Sequence, residues 1–121
     1  MKILLIDDDA FLRDMYATKF IEKGHAIECV STPDEALTKL HSKKYDLVLS
    51  DVVMPGMTGV ELLTHITKDK LGGEPKCIML SNQSEDTDKK AAYEAGAVGY
   101  IVKAELIPSE VVTEVEKIVS K

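Results

Sequence analysis

The sequence predicts an α/β fold built on a parallel sheet, and three observations predict it. Short β-like runs and amphipathic helical stretches alternate five times along the 121 residues, the pattern of strand–helix–strand units joined by right-handed crossovers. The second to fifth runs are nearly continuous in Val, Ile and Leu, as strands covered on both faces are. Four runs end in residues suited to phosphate or metal chemistry. Ile3-Leu4-Leu5-Ile6 ends in Asp7, Asp8 and Asp9, and Leu47-Val48-Leu49-Ser50 ends in Asp51. Cys77-Ile78-Met79-Leu80 ends in Ser81, and Gly99-Tyr100-Ile101-Val102 ends in Lys103. Open α/β sheets place their ligands at strand carboxyl ends. Side by side, these residues make a site for a hard cation and a phosphoryl group.

The strands are expected at 2–6, 26–30, 46–50, 76–80 and 98–102, and the helices at 10–22, 33–43, 59–69, 85–95 and 108–119. In the first helix Phe11, Met15, Thr18 and Ile21 recur at helical spacing, and Gly24 supplies a left-handed stop. The second opens Thr32-Pro33, a cap followed by proline at the first helical position, with Ala36, Leu37 and Leu40 on one face. The third carries Val60, Leu62, Leu63 and Ile66 and stops before Gly72-Gly73. Ser84 is placed to cap the fourth, which ends at Gly96. Pro108 opens the fifth, with Val111, Val115, Ile118 and Val119 turned inward. Pro55-Gly56 and Gly72-Gly73-Glu74-Pro75 read as loop punctuation inside a single domain spanning 1–121.

Composition narrows the function. A hydrophobic content of 45% with 30% charged residues is ordinary for a globular domain, and the length suffices for a core without staples. No apolar stretch approaches the roughly 20 residues of a membrane span, and the four-residue leading run is no secretory signal. The expected location is the cytoplasm. A net charge of −6 offers no basic stripe to displace counterions, which argues against direct nucleic-acid binding.

Asp7-Asp8, Asp51 within Asp51-Val52-Val53-Met54-Pro55-Gly56, Ser81 and Lys103 together resemble the receiver domain of two-component response regulators. Gly59 at the third helix and Ala95-Gly96-Ala97-Val98-Gly99-Tyr100 before Lys103 add to the likeness. Each motif is weak alone; together, in order across essentially the whole chain, they are specific. The resemblance implies a flavodoxin-like (βα)5 fold with strand order 2-1-3-4-5. It implies a switch that takes a phosphoryl group on Asp51 from a phosphohistidine in a Mg²⁺-dependent reaction, rather than an enzyme with a separate substrate. Asp8, Asp51 and the Val53 backbone carbonyl would ligate Mg²⁺, and Asp7 would act mainly through a bound water. Ser81 would bond a phosphoryl oxygen, Lys103 would pair with Asp51 and then its phosphate, and Tyr100 would be the switch aromatic. The implied partners are a sensor histidine kinase or phosphotransfer protein, and a downstream protein at the face of the fourth helix, fifth strand and fifth helix. Val112 and Val119 are candidate exposed apolar residues there. The implied assembly is a monomer or a phosphorylation-dependent dimer. In that strand order Cys29 and Cys77 lie about 14 Å apart across the sheet, too far for a disulfide.

The chemistry explains the residue types. An ionised carboxylate is a nucleophile that needs no general base, but it repels an incoming phosphoryl group. Two unit charges at 4 Å interact by roughly 4 kcal/mol at a surface-like dielectric. Magnesium accepts few protein carboxylates and keeps several waters, and Lys103 supplies the remaining fixed positive charge. Taken alone, the acidic triplet is a solvated helix start, Ser81 a cap and Lys103 a surface charge; Asp9 is read as the cap of the first helix. His25, His41 and His65 share no ligand spacing and are read as surface residues.

Two positions depart from the family pattern. Ala104 stands where proline, in a cis bond, usually follows the lysine. A cis bond before a non-proline residue costs about 2.5–4 kcal/mol, so a trans Lys103–Ala104 bond and a re-routed loop are expected. Asn82 stands where a very small residue usually leaves the site open. Val53 and Gln83 resemble the positions that tune phosphate lifetime in the family, and an apolar Val53 cannot orient an attacking water. Three rival functions remain: a pseudo-receiver that binds partners without phosphorylation, a carrier of flavin mononucleotide on the same fold, and a Mg²⁺-dependent phosphohydrolase. The carrier lacks a hydroxyl- and glycine-rich loop after the first strand. The phosphohydrolase lacks a second acid two residues after the nucleophile, where Val53 stands.

Overall fold

Parallel pairing joins β1 (Lys2–Ile6), β2 (Ala26–Val30), β3 (Leu47–Asp51), β4 (Lys76–Ser81) and β5 (Gly99–Val102) into one sheet ordered β2-β1-β3-β4-β5. This is the expected topology, seen in a computed structural model that describes residues 1–82 and 85–121. Around the sheet lie α1 (Ala10–Glu22), α2 (Pro33–Ser42), α3 (Gly59–Asp69), α4 (Asp86–Glu94) and α5 (Pro108–Val119). Ser84, expected to cap α4, and Gln83 lie outside the described residues.

Each face of the sheet has its own core. Leu4, Ile6, Val48, Cys77 and Met79 pack with Ala36, Leu40, Leu62, Leu63 and Ile66 of α2 and α3 and with Ala92 of α4. Ile3, Leu5, Leu47, Leu49 and Ile78 pack on the other side with Tyr16 and Phe20 of α1 and Val111, Val112 and Val115 of α5. Full burial of one such side chain contributes about 1.5–3 kcal/mol, so both layers are firmly held. β3 is buried throughout. The edge strand β2 is not: only Val30 is fully buried there, a departure from the expectation of two-sided cover.

Helix starts follow their caps. Asp9 accepts from the Leu12 backbone N–H, Thr32 from Glu35 and Thr58 from Glu61, each satisfying a donor the first turn leaves free. The reading of α1 was right in extent and wrong in face. Phe11 and Ile21 are 72% and 60% exposed, while Tyr16 and Phe20 are buried. Apolar residues nearly encircle this helix, so its periodicity does not choose a side; the larger aromatics fill the space over β1 and β3 beside α5. Two further expectations fail. Val112 is buried against the sheet and Val119 is half-buried on the same core. His25 is no surface residue: its Nε2 lies 2.9 Å from Glu116 on α5, and its ring packs edge-on to Phe20.

Both cysteines are free. Burial raises the Cys77 thiol to about 12 and also raises Cys29, so both stay protonated and behave as small apolar residues.

Candidate functional site

Strand register assembles the site. Ile6 pairs with Ser50, so Asp7 stands level with Asp51 at the tip of β3. Asp51 pairs with Leu80, and Ser81 with Val102, which puts Ser81 and Lys103 beside them. The residues expected to meet at the strand carboxyl ends do meet. The Lys103 ammonium lies 3.0 Å from Asp7 Oδ2 and in direct contact with Asp51 Oδ1.

The loop after β1 is fixed by its own hydrogen bonds. The Asp7 N–H donates to the Val30 carbonyl at 3.2 Å. Asp7 Oδ1 accepts from the Asp9 N–H at 2.9 Å, and Arg13 Nη1 donates to the Asp7 carbonyl at 3.0 Å. Both Asp7 oxygens are therefore engaged, one by backbone and one by Lys103. The opposite wall depends on a glycine. The Gly59 N–H donates to the Val52 carbonyl, and a Cβ at Gly59 would sit 2.1 Å from the Asp51 carbonyl oxygen. Only glycine lets α3 start this close to the strand tip.

Ligand oxygens of Asp7, Asp8 and Asp51 lie within 4.8 Å of one another. Magnesium binds oxygens at about 2.0–2.1 Å in an octahedron, which sets its ligands about 3–4 Å apart, so these carboxylates fit one ion. The charges fit too. Three carboxylates against Lys103 leave a net −2, the amount a divalent cation balances. Burial pushes the Asp51 carboxyl up to about 7, against the pull of Lys103 and with help from Asp7. Burial lowers the Lys103 ammonium, yet its contacts with Asp51 and Asp7 outweigh this and raise it overall. Two buried carboxylates share this one lysine.

Above Asp51 opens a cavity of about 620 Å³. Asp8, Val53, Ser81 and Asn82 line it with Lys103, and the Val53 side chain is largely exposed. Tyr100 is half-buried on β5, with the Lys89 ammonium 5.9 Å from its ring centroid. The Lys103–Ala104 bond is trans, as expected, and Lys103–Glu105 form a short 3-10 turn. Sequence reasoning missed Arg13, Glu85 and Asp88, the last two of which line the cavity. It also missed Tyr16, whose phenol is raised by burial and feels Lys103, Asp7 and Asp51. Their helical positions carry no strand-end signal.

The profile of the response regulator receiver domain matches residues 3–116. The chain belongs to this family. It is 34% identical over 120 residues to the transcriptional regulatory protein ResD of Bacillus subtilis, covering 99% of this chain and 48% of that one. It is 32% identical over 103 residues to the two-component response regulator PhoP of Pseudomonas aeruginosa, covering 85% and 45%. The receiver thus spans about half the length of these curated relatives. Among solved structures it resembles the chemotaxis response regulator CheY4 of Vibrio cholerae, with 26% identity, a TM-score of 0.88 and 97% of each chain covered. A CheY-like receiver from Methanospirillum hungatei gives 28% identity, a TM-score of 0.87 and coverage of 98% and 94%. The family match sets aside the flavin carrier. In this receiver, among the described residues, no helix is long and apolar enough to cross a membrane.

Proposed function

We propose that this receiver accepts a phosphoryl group on Asp51 from a phosphohistidine of a sensor histidine kinase or phosphotransfer protein, with Mg²⁺ as cofactor. The observation that carries this is a buried carboxylate at a strand tip, touching one lysine and opening onto a cavity shared with a serine hydroxyl. An Asp51 oxygen attacks phosphorus. The new acyl–O–P bond forms as the P–N bond breaks, and the electron pair returns to the donor imidazole, which takes up a proton. Asp8, Asp51 and the Val53 carbonyl would hold the cation, which supplies charge neutralisation for the transferring group when bound. Asp7, with both oxygens engaged, orients Lys103 and would act on the cation mainly through a bound water.

Lys103 then follows the charge from the carboxylate to the phosphoryl oxygens, and the Ser81 hydroxyl donates to one of them. A local charge event of this kind biases a two-state element. The movement of Ser81 gives Tyr100 room to change rotamer and alters the face of α4, β5 and α5, where a downstream protein binds. The domain turns over no separate substrate; it acts on its own phosphorylation and loss of phosphate. Incubation with acetyl phosphate or a charged histidine kinase plus Mg²⁺ is expected to add about 80 Da, a phosphoryl group, to the wild type and nothing to Asp51→Asn. An equal gain in both proteins would refute the assignment.

A further inference from the structure

The mouth of the Asp51 cavity is more acidic than holding a cation requires. Asp8 and Asp9 stand on its α1 side, Glu85 and Asp88 on its α4 side, and Lys103 is its only cationic side chain among the described residues. Acids in the first turn of a helix ordinarily serve the helix dipole. Glu85 occupies the N-cap of α4, but its side chain makes no capping hydrogen bond. Asp88 is half-buried and faces the cavity, whereas Asp86 in the same turn is exposed and lies off its lining. Asp86 and Asp88 both stand in the first turn and serve the helix dipole, but Asp88 and Glu85, unlike Asp86, also line the cavity through which a donor approaches.

We propose that Glu85 and Asp88 select the phosphoryl donor by charge, setting the site against small dianionic donors and leaving it open to donors of lower negative charge. The inference rests on Asp51 as phosphoacceptor. Both carboxylates lie outside the set expected to hold the cation, so they act on the approaching donor through space. Such an effect is Coulombic, scales with donor charge and is screened by salt.

The test compares acetyl phosphate, a dianion, with phosphoramidate, a net monoanion, at saturating Mg²⁺. Intact mass follows the phosphorylation rate of wild type, Glu85→Gln, Asp88→Asn, the double variant and Asp86→Asn. Through water, the double variant should react about fivefold faster than wild type with acetyl phosphate at low salt. With phosphoramidate the gain should be about twofold. At 0.15 M ionic strength, where the screening length is about 8 Å, the acetyl phosphate gain should shrink to about twofold. Each single variant should account for part of the gain, and Asp86→Asn for little of it.

Equal acceleration with both donors, no acceleration, or a gain in Asp86→Asn matching that of either single variant would overturn the charge selection while leaving Asp51 as acceptor. No mass gain in any protein with either donor or a charged kinase would overturn both.

Discussion

Two of the ion-pair clusters in this domain are built on opposite terms. At the edge strand, Glu28 accepts from the Tyr45 hydroxyl at 2.7 Å and lies 3.2 Å from Lys43 and 3.4 Å from Lys39. One carboxylate there meets a phenol and two ammonium groups. The Tyr45 hydrogen bond, with smaller help from the lysines, holds the Glu28 carboxyl down at about 2 despite partial burial. At the strand tips the ratio is inverted: one ammonium serves two deeply buried carboxylates, and burial pushes Asp51 up to about 7. The edge cluster is satisfied and contributes stability. The site cluster is kept under-neutralised by the packing around it, which leaves Asp51 receptive to further positive charge.

The sharpest way to break the comparison is to remove the shared lysine. Lys103→Met leaves two buried carboxylates uncompensated and should cost about 3 kcal/mol in metal-free urea unfolding at pH 7. A loss within 0.5 kcal/mol, roughly what a surface pair is worth, would mean that the site pair is no more important than an exposed one. Backbone approach comes next. Gly59→Ala drives a methyl into the Asp51 carbonyl and should cost about 2 kcal/mol by overpacking, with weaker Mg²⁺ binding by calorimetry. Unchanged metal affinity would uncouple α3 from the site.

The two clusters should also give opposite pH slopes. Asp51 has its pKa raised by folding, so the native state binds more protons there. Metal-free stability should therefore fall as pH rises from about 3.8 to about 7. Asp51→Asn should remove this slope, and Mg²⁺ at a hundred times its Kd should add about 2.7 kcal/mol. Stability that rises over this window in metal-free wild type would contradict the burial argument. Glu28 has its pKa lowered, so its contribution is present above about 4.5 and is lost as pH falls toward about 2. The smallest effect is Tyr45→Phe, expected to cost about 1 kcal/mol and to return the Glu28 carboxyl toward its ordinary range. An NMR titration that leaves Glu28 near about 2 in that variant would credit the lysines instead.

Much of this was legible beforehand, for reasons that differ by residue. Asp51, Ser81 and Lys103 sit at the ends of β-like runs, and in a parallel sheet a strand end is both a sequence position and a place in space. Asp9 could be read as a cap because capping is decided within three residues. Arg13 could not be read as a clamp on the Asp7 carbonyl, since its reach depends on how α1 sits over β1. Nor did Glu85 and Asp88 announce themselves, because acids at a helix start have an ordinary local explanation. Alternating patterns of local preference by themselves determined five strand–helix units, the Asp9 and Thr32 caps and the chemistry gathered at the sheet's carboxyl edge. Tertiary packing decided which side of α1 is buried, that His25 reaches Glu116, and that Val112 lies in the core. The physical reason is that periodicity fixes spacing along an element but not its rotation about its axis. That rotation is chosen by the volume neighbouring elements leave to fill and by charges distant in sequence.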